Sequence, residues 1–276
     1  MTARLPVFKW HRLRQRLDDC AFDRSGLWAG LAHGASMEVD LRALGDGGFV
    51  CLHDATLDRE TDGSGSVRSR TTKDIETLSM LGDKGAPTWS PPMTLGELCE
   101  AVRASKPVSR TRIQLDFKDR IDSLEQAHFD HFRECLAGIA GYFVLSGDDA
   151  MGLQRLGGGL EGLTIGYDPC TDDTLAALNA SGRFAEFAAD AVAAAPFAGY
   201  IYLEYPIILA GLKRGINLAR LFQAEGKTVD AYTLNATHPE ASQSLATLVA
   251  VGVDQITTDE PAVMAAMLAG LSRQTG

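Results

Sequence analysis

Glu38 and Asp40 stand two residues apart in the run Ser36-Met-Glu-Val-Asp-Leu41, and a His53-Asp54 pair follows beyond the turn Gly45-Asp46-Gly47-Gly48. Side chains alternate across a strand, so both carboxylates point to one face. Converging carboxylates repel unless a cation lies between them, and the hard divalent cations Mg²⁺ and Ca²⁺ prefer carboxylate oxygen. The glycines permit a tight reversal. The run Phe49-Val-Cys-Leu52 follows too soon for the long crossover that a parallel partner needs, which predicts an antiparallel hairpin. With the reversal centred near Asp46, Asp40 lies opposite Leu52 and His53, and an imidazole is brought to the carboxylates.

More reactive side chains close other apolar runs. His11 and Arg12 follow Leu5–Trp10, while Asp116 and Lys118 end Arg112–Lys118 and share a face by the same alternation. Two histidines, three carboxylates, an arginine and a lysine exceed what packing requires. Together they read as metal-assisted phosphoryl chemistry, with acid and base supplied by imidazole. Each residue also has a plainer role open to it. Glu38 and Asp40 can be a solvated strand face, His53 can simply bond Asp54, and His11 can be a loop histidine in a basic stretch. Lys118 can pair with Asp116 or Asp119, and Arg12 with a surface carboxylate. Glu204 and Tyr232 would end strands near the same mouth, as substrate contacts or as packing. His128, His131 and His238 fall away from these runs and are left aside.

Strand-like runs recur at Leu5–Trp10, Ser36–Arg42, Arg112–Lys118, Gly141–Ser146, Leu163–Tyr167, Tyr200–Glu204, Thr228–Leu234 and Asp254–Thr258. Helix-like stretches at Thr94–Ala104, Ser123–Ala137, Thr174–Ala180, Ile216–Ala224 and Ala241–Val249 fill most of the gaps. Repeated strand–helix units predict a parallel sheet, and eight of them predict closure into a (β/α)8 TIM barrel with a hairpin and a long insertion after the second strand. In such a barrel the working residues lie at the C-terminal ends of the strands. The connection from about 54 to 92 is too long for a simple crossover and is expected to form a lid or wall at the mouth.

A chain of 276 residues with 45% hydrophobic content is expected to form one domain, residues 1–276, since a barrel takes roughly 250 residues. Lys and Arg total 26 against 36 Asp and Glu, a net charge of −10 that repels nucleic acid and acidic membranes. Any phosphate must therefore be held by local positive charge. The scattered cysteines 20, 51, 99, 135 and 170 form no CxxC pair and read as reduced thiols. No secretory segment or run of roughly 18 apolar residues is evident, so a cytoplasmic chain without stable membrane insertion is expected. A homo-oligomer is left open.

The ordered set of motifs resembles the glycerophosphodiester phosphodiesterases. His11-Arg12 matches the opening His-Arg-Gly, Glu38-Val-Asp40 the Glu-x-Asp, and Leu52-His-Asp-Ala-Thr-Leu-Asp-Arg59 with Thr61, Gly63 and Gly65 the segment around the second histidine. Pro92-Met-Thr-Leu-Gly-Glu97, Leu115-Asp-Phe-Lys118, Tyr232-Thr-Leu-Asn235 and Gly252–Asp259 with Pro261 are similar to the later elements. The resemblance implies a metal held by Glu38, Asp40 and Asp116, His11 and His53 as general base and acid, and Arg12 and Lys118 neutralising the phosphate. It departs at Leu13 for glycine, Asp116 for glutamate and Tyr232 where tryptophan is common, and the Glu-Asn-Thr after the first strand is missing around Cys20-Ala-Phe22.

The resemblance further implies a small glycerophosphodiester as substrate. One histidine deprotonates a glycerol hydroxyl that attacks phosphorus, and the other protonates the departing alcohol. Water then opens the cyclic phosphate to glycerol 3-phosphate. Two other functions are kept beside it: a phosphodiester lyase of the sphingomyelinase D kind, whose interval from first histidine to carboxylates is shorter than here, and a non-catalytic phosphodiester-binding barrel.

Overall fold

A computed structural model describes residues 5–82 and 85–274, with side chains to residue 271. Residues 83 and 84 of the 54–92 insertion, and residues 1–4 ahead of the opening run, lie outside the described residues. In chain order the elements are β1 (Val7–Trp10), α1 (Arg24–His33), β2 (Ser36–Ala43), β3 (Phe49–Cys51), α2 (Thr72–Ile75), α3 (Leu95–Ser105), β4 (Arg112–Phe117), α4 (Gln126–Leu136), β5 (Phe143–Ser146) and α5 (Ala150–Leu156). They continue as β6 (Thr164–Tyr167), α6 (Thr174–Ser181), α7 (Phe184–Ala194), β7 (Tyr200–Glu204), α8 (Tyr205–Lys213), α9 (Leu218–Ala224), β8 (Thr228–Tyr232), α10 (Ala241–Val251), β9 (Gln255–Thr258) and α11 (Pro261–Gln274). The strand order is β1-β9-β8-β7-β6-β5-β4-β2-β3, and β1 also pairs with β2. The parallel strands thus form the closed set of a (β/α)8 barrel, with β3 as an antiparallel addition.

By its contacts the chain divides into two compact units, residues 10–164 and residues 1–9 with 165–276. In the first, β2 alternates strictly. Met37, Val39, Leu41 and Ala43 are buried apolar residues on one face, while Glu38, Asp40 and Arg42 project from the other. β4 runs parallel to β2 with Glu38 beside Gln114 and Asp40 beside Asp116. β3 returns antiparallel through Leu41–Cys51, Arg42–Val50 and Ala43–Phe49, and the same register carried one step further sets Leu52 opposite Asp40. Gly47 in the turn has φ 93°, a conformation that favours glycine. Thr94 caps α3 in a reciprocal capping box with Glu97, which fixes where the helix begins.

The 54–92 stretch is tied to itself and to the core. Leu57 N–H donates to the Gly65 carbonyl and Val67 N–H to that of Ala55, while Leu57, Val67, Ile75 and Met80 are buried. A short helix, α2, interrupts it behind the Thr71–Asp74 capping box.

In the second unit β7, β8 and β9 run parallel, with Glu204 beside Tyr232 at the ends of β7 and β8. Phe184, Ile201, Leu203, Ile207, Val229, Leu245 and Ile256 are among the residues that fill its apolar core. On the opposite face of these strands the Lys9 ammonium lies 2.9 Å from Asp230 and 4.5 Å from the centroid of the Tyr202 ring, and Thr257 Oγ1 donates to Asp230 at 2.6 Å. Both charges are almost wholly out of water. Removing one member of such a pair strands the other, so Lys9→Met is expected to lower stability by about 3–5 kcal/mol in urea unfolding. Lys9→Met combined with Asp230→Leu is expected to recover most of that loss; a double variant as unstable as the single one would show that packing, not charge, is at stake.

Candidate functional site

Strand register assembles the acidic cluster. Glu38 and Asp40 share a face of β2, Asp116 is the β4 neighbour of Asp40, and one carboxylate oxygen from each lies within 4.8 Å of the others. Glu38 and Asp40 are buried and Asp116 is partly so. Two protein cations approach them. Lys118 Nζ donates to Asp116 Oδ2 and lies 3.1 Å from Asp40 Oδ1, and Arg12 Nε lies 2.9 Å from Asp40 Oδ2. The Arg12 contact is an ion pair without hydrogen-bond alignment, so Asp40 Oδ2 is a buried oxygen that accepts no hydrogen bond. Hard oxygen donors in convergent array with one such atom fit a divalent cation.

The charges set the ionisation of the cluster. Burial, together with the neighbouring Asp40, pushes the Glu38 carboxyl up to about 7, despite His11 and Arg12 close by. Burial alone would also raise Asp40, but Lys118 and Arg12, aided by His53 and His11, outweigh it and hold that carboxyl below the usual carboxylate range. Burial opposes the Lys118 charge, yet Asp116 and Asp40 override it and keep the ammonium protonated above its ordinary range. Both histidines therefore stand within electrostatic reach of Asp40, His53 arriving by way of the hairpin and His11 from the end of β1.

His11 and Arg12 occupy a short 3₁₀ turn after β1. Arg12 has φ 52° and Leu13 φ 63°, left-handed values that cost an L-residue roughly 1–2 kcal/mol each. Contacts hold the turn in place: Arg12 N–H donates to Glu38 Oε2 at 2.8 Å, Phe22 N–H to the Arg12 carbonyl at 2.8 Å, and the Leu13 side chain is buried. Gly26 of α1 leaves room for the Leu13 carbonyl, which would lie 2.3 Å from a Cβ there. Leu13, the departure from the glycine of the resembling motif, thus sits at a backbone position suited to glycine and is compensated by burial.

His53 is oriented by neighbours. Its Nδ1 lies 2.8 Å from Asp54 Oδ1, and Asp54 is clamped by Arg59 through two hydrogen bonds. Arg59 first, then His53, holds Asp54 well below the usual carboxylate range. An ionised carboxylate only accepts, so Nδ1 carries the proton and Nε2 is the ring atom left for proton transfer. The Glu60 carboxylate accepts the N–H groups of both His53 and Asp54. Arg42 donates twice to the His53 carbonyl and also to the Lys118 carbonyl and Asp119. Arg42, Arg59 and Glu60 escape motif reading by role, although Arg42 continues the alternation of Glu38 and Asp40.

Glu204 and Tyr232 belong to the other unit. Tyr232 Oη donates to Asp168 Oδ2 at 2.7 Å, and burial with the nearby Asp168 raises the phenol above its ordinary range. Burial and Asp172 raise Glu204. Among the described residues no helix is long and apolar enough to cross a membrane.

Residues 28–142 match the glycerophosphoryl diester phosphodiesterase family. No curated protein matches the chain in sequence. Solved structures similar to it include a phosphodiesterase from Oleispira antarctica in complex with the product sn-glycerol-3-phosphate, at TM-score 0.67 and 18% identity over 96% of this chain and 97% of that one. A glycerophosphodiester phosphodiesterase from Thermotoga maritima gives 0.67 and 18% over 96% and 99%, and one from Agrobacterium tumefaciens gives 0.65 and 20% over 96% and 100%. These likenesses show that the fold is shared along nearly the whole chain.

The raised Glu38 acid has a consequence for stability. Because its folded value of about 7 lies above the ordinary 4.5, folding favours the protonated form, and stability is lost as pH rises through that interval. Metal-free Glu38→Gln is therefore expected to melt higher than the unaltered protein at about pH 8, with the gap closing at about pH 5. Differential scanning calorimetry at the two pH values checks this; a gap independent of pH would contradict it.

Proposed function

We propose that the chain is a member of the glycerophosphoryl diester phosphodiesterase family, whose pattern residues 28–142 match, and that it hydrolyses glycerophosphodiesters to glycerol 3-phosphate and an alcohol. The observation that carries the reading is the convergence of Glu38, Asp40 and Asp116 with His11 and His53 in electrostatic reach of Asp40. The sn-glycerol-3-phosphate bound by the Oleispira antarctica phosphodiesterase supports a small-molecule product of this kind.

Glu38, Asp40 and Asp116 would hold a divalent cation, Mg²⁺ or Ca²⁺, which when bound supplies fixed positive charge for a phosphate. Arg12 and Lys118, already drawn to this rim by Asp40, add charge for the phosphate oxygens. His11 takes the proton of the glycerol hydroxyl next to the ester as that oxygen attacks phosphorus. His53, with its Nδ1 engaged by Asp54, donates from Nε2 to the departing alcohol. Water then opens the cyclic phosphate with the two imidazoles exchanging roles. Tyr232 and Glu204 are the proposed substrate-binding residues; the Tyr232 hydroxyl is already engaged as a donor to Asp168. The 54–92 stretch would serve as a wall in one domain spanning 1–276. The free cysteines 20, 51, 99, 135 and 170 suit a reducing, cytoplasmic compartment.

His53→Ala is expected to lower turnover of a glycerophosphodiester by about 10²–10⁴-fold, the usual contribution of a positioned acid or base, with circular dichroism unchanged. Activity equal to the unaltered protein would remove His53 from the mechanism. Product analysis by ³¹P NMR is expected to show glycerol 3-phosphate; a cyclic phosphate as the sole product would make the protein a lyase. Asp40→Asn is expected to weaken Mg²⁺ or Ca²⁺ binding in calorimetry at least about tenfold, since it removes charge from the most buried donor. An unchanged affinity would place the cation elsewhere.

A further inference from the structure

Two buried polar residues that no motif covers lead directly to the acidic cluster. Gln114 lies two residues before Asp116 on the same face of β4, and Ser146 is the β5 neighbour of Asp116. Gln114 Nε2 donates to Ser146 Oγ at 2.9 Å, and Ser146 Oγ donates to Asp116 Oδ1 at 3.0 Å. Ser146 is fully buried and Gln114 nearly so. We propose that Ser146, oriented by Gln114, is a positioning residue that fixes the Asp116 carboxylate for cation binding; this rests on the reading of the site given above.

The direction of the chain follows from donor and acceptor chemistry. An amide nitrogen donates only, so it occupies a lone pair of the hydroxyl and leaves the single hydroxyl proton for the carboxylate. The opposite amide orientation would take that proton and turn hydroxyl lone pairs toward an anion. Asp116 is then held at both oxygens, Oδ1 by Ser146 and Oδ2 by Lys118. Lys118 alone would draw the carboxylate onto its ammonium. The hydroxyl opposes that pull and keeps the group facing Glu38 and Asp40. A carboxylate fixed from behind in this way loses less freedom when it takes up a ligand, which is why partners of metal ligands influence affinity.

The test is calorimetric titration of the full chain with Mg²⁺ and, separately, with Ca²⁺, beside the melting temperature of the metal-free protein. Ser146→Ala is expected to weaken binding by about 10–100-fold, and Ser146→Thr, which keeps the hydroxyl, to restore most of it. Gln114→Leu is expected to cause a smaller loss, and no further loss when added to Ser146→Ala, because its effect passes through the hydroxyl. A merely structural role predicts the reverse pattern: lower melting temperatures with cation affinity unchanged, which would overturn the inference. If the unaltered protein binds both cations and Ser146→Ala binds them equally well, the inference alone falls. If the unaltered protein binds neither, the reading of the site falls with it.

Discussion

Like charges brought together out of water must be compensated, and the parallel register of β2 and β4 makes that requirement unavoidable here. Once Asp40 is set beside Asp116, and Glu38 falls on the same face by alternation, three carboxylates converge whatever the loops do. Arg12, Lys118 and the two histidines answer that charge from different parts of the chain. The raised Glu38 and the lowered Asp40 are opposite responses to one crowded field: burial opposes the charge of both, but Asp40 has two cations in direct contact, whereas Glu38 accepts a backbone N–H.

The compensation extends into the backbone. Arg12 and Leu13 adopt left-handed conformations that β-branched or unsupported residues would not tolerate, and the Arg12 N–H is thereby aimed at Glu38. Arg42 performs a similar service on the opposite flank, gathering the carbonyls that follow β3 and β4 with a single planar guanidinium. The site is thus framed by hydrogen bonds between side chains and the main chain, which tie its backbone to β2.

Much of this was legible from residue order because short apolar runs bounded by polar punctuation are what buried parallel strands look like. Tyr200–Glu204 is matched at both ends, and the remaining strands differ from expectation by a few terminal residues. The helices were harder. α8 begins at Tyr205 with no residue between it and β7, and its Pro206 looks like a break although it suits the first turn of a helix. α1 carries Gly26 and Gly30, which lower helix propensity but allow close approach to Leu13 and Met37. Within the site, motifs supply residues near one another in sequence; Ser146 lies 30 positions from its partner Asp116, and only strand pairing joins them.

On one edge β2 pairs with β1 at Met37 and with β3 from Leu41 onward, so its charged stretch lies between two strands of opposite sense. One imidazole is delivered by a chain travelling along β2 and the other by a chain returning against it. β2 therefore acts as a common yardstick, and the separation of the rings is independent of the long segments that follow each of them. Adding a single residue to the bend of residues 45–48 that precedes β3 would slip the returning strand by one and turn His53 to the far side of the sheet. The length of that small bend, remote from any reacting atom, is thereby subject to the demands of proton transfer.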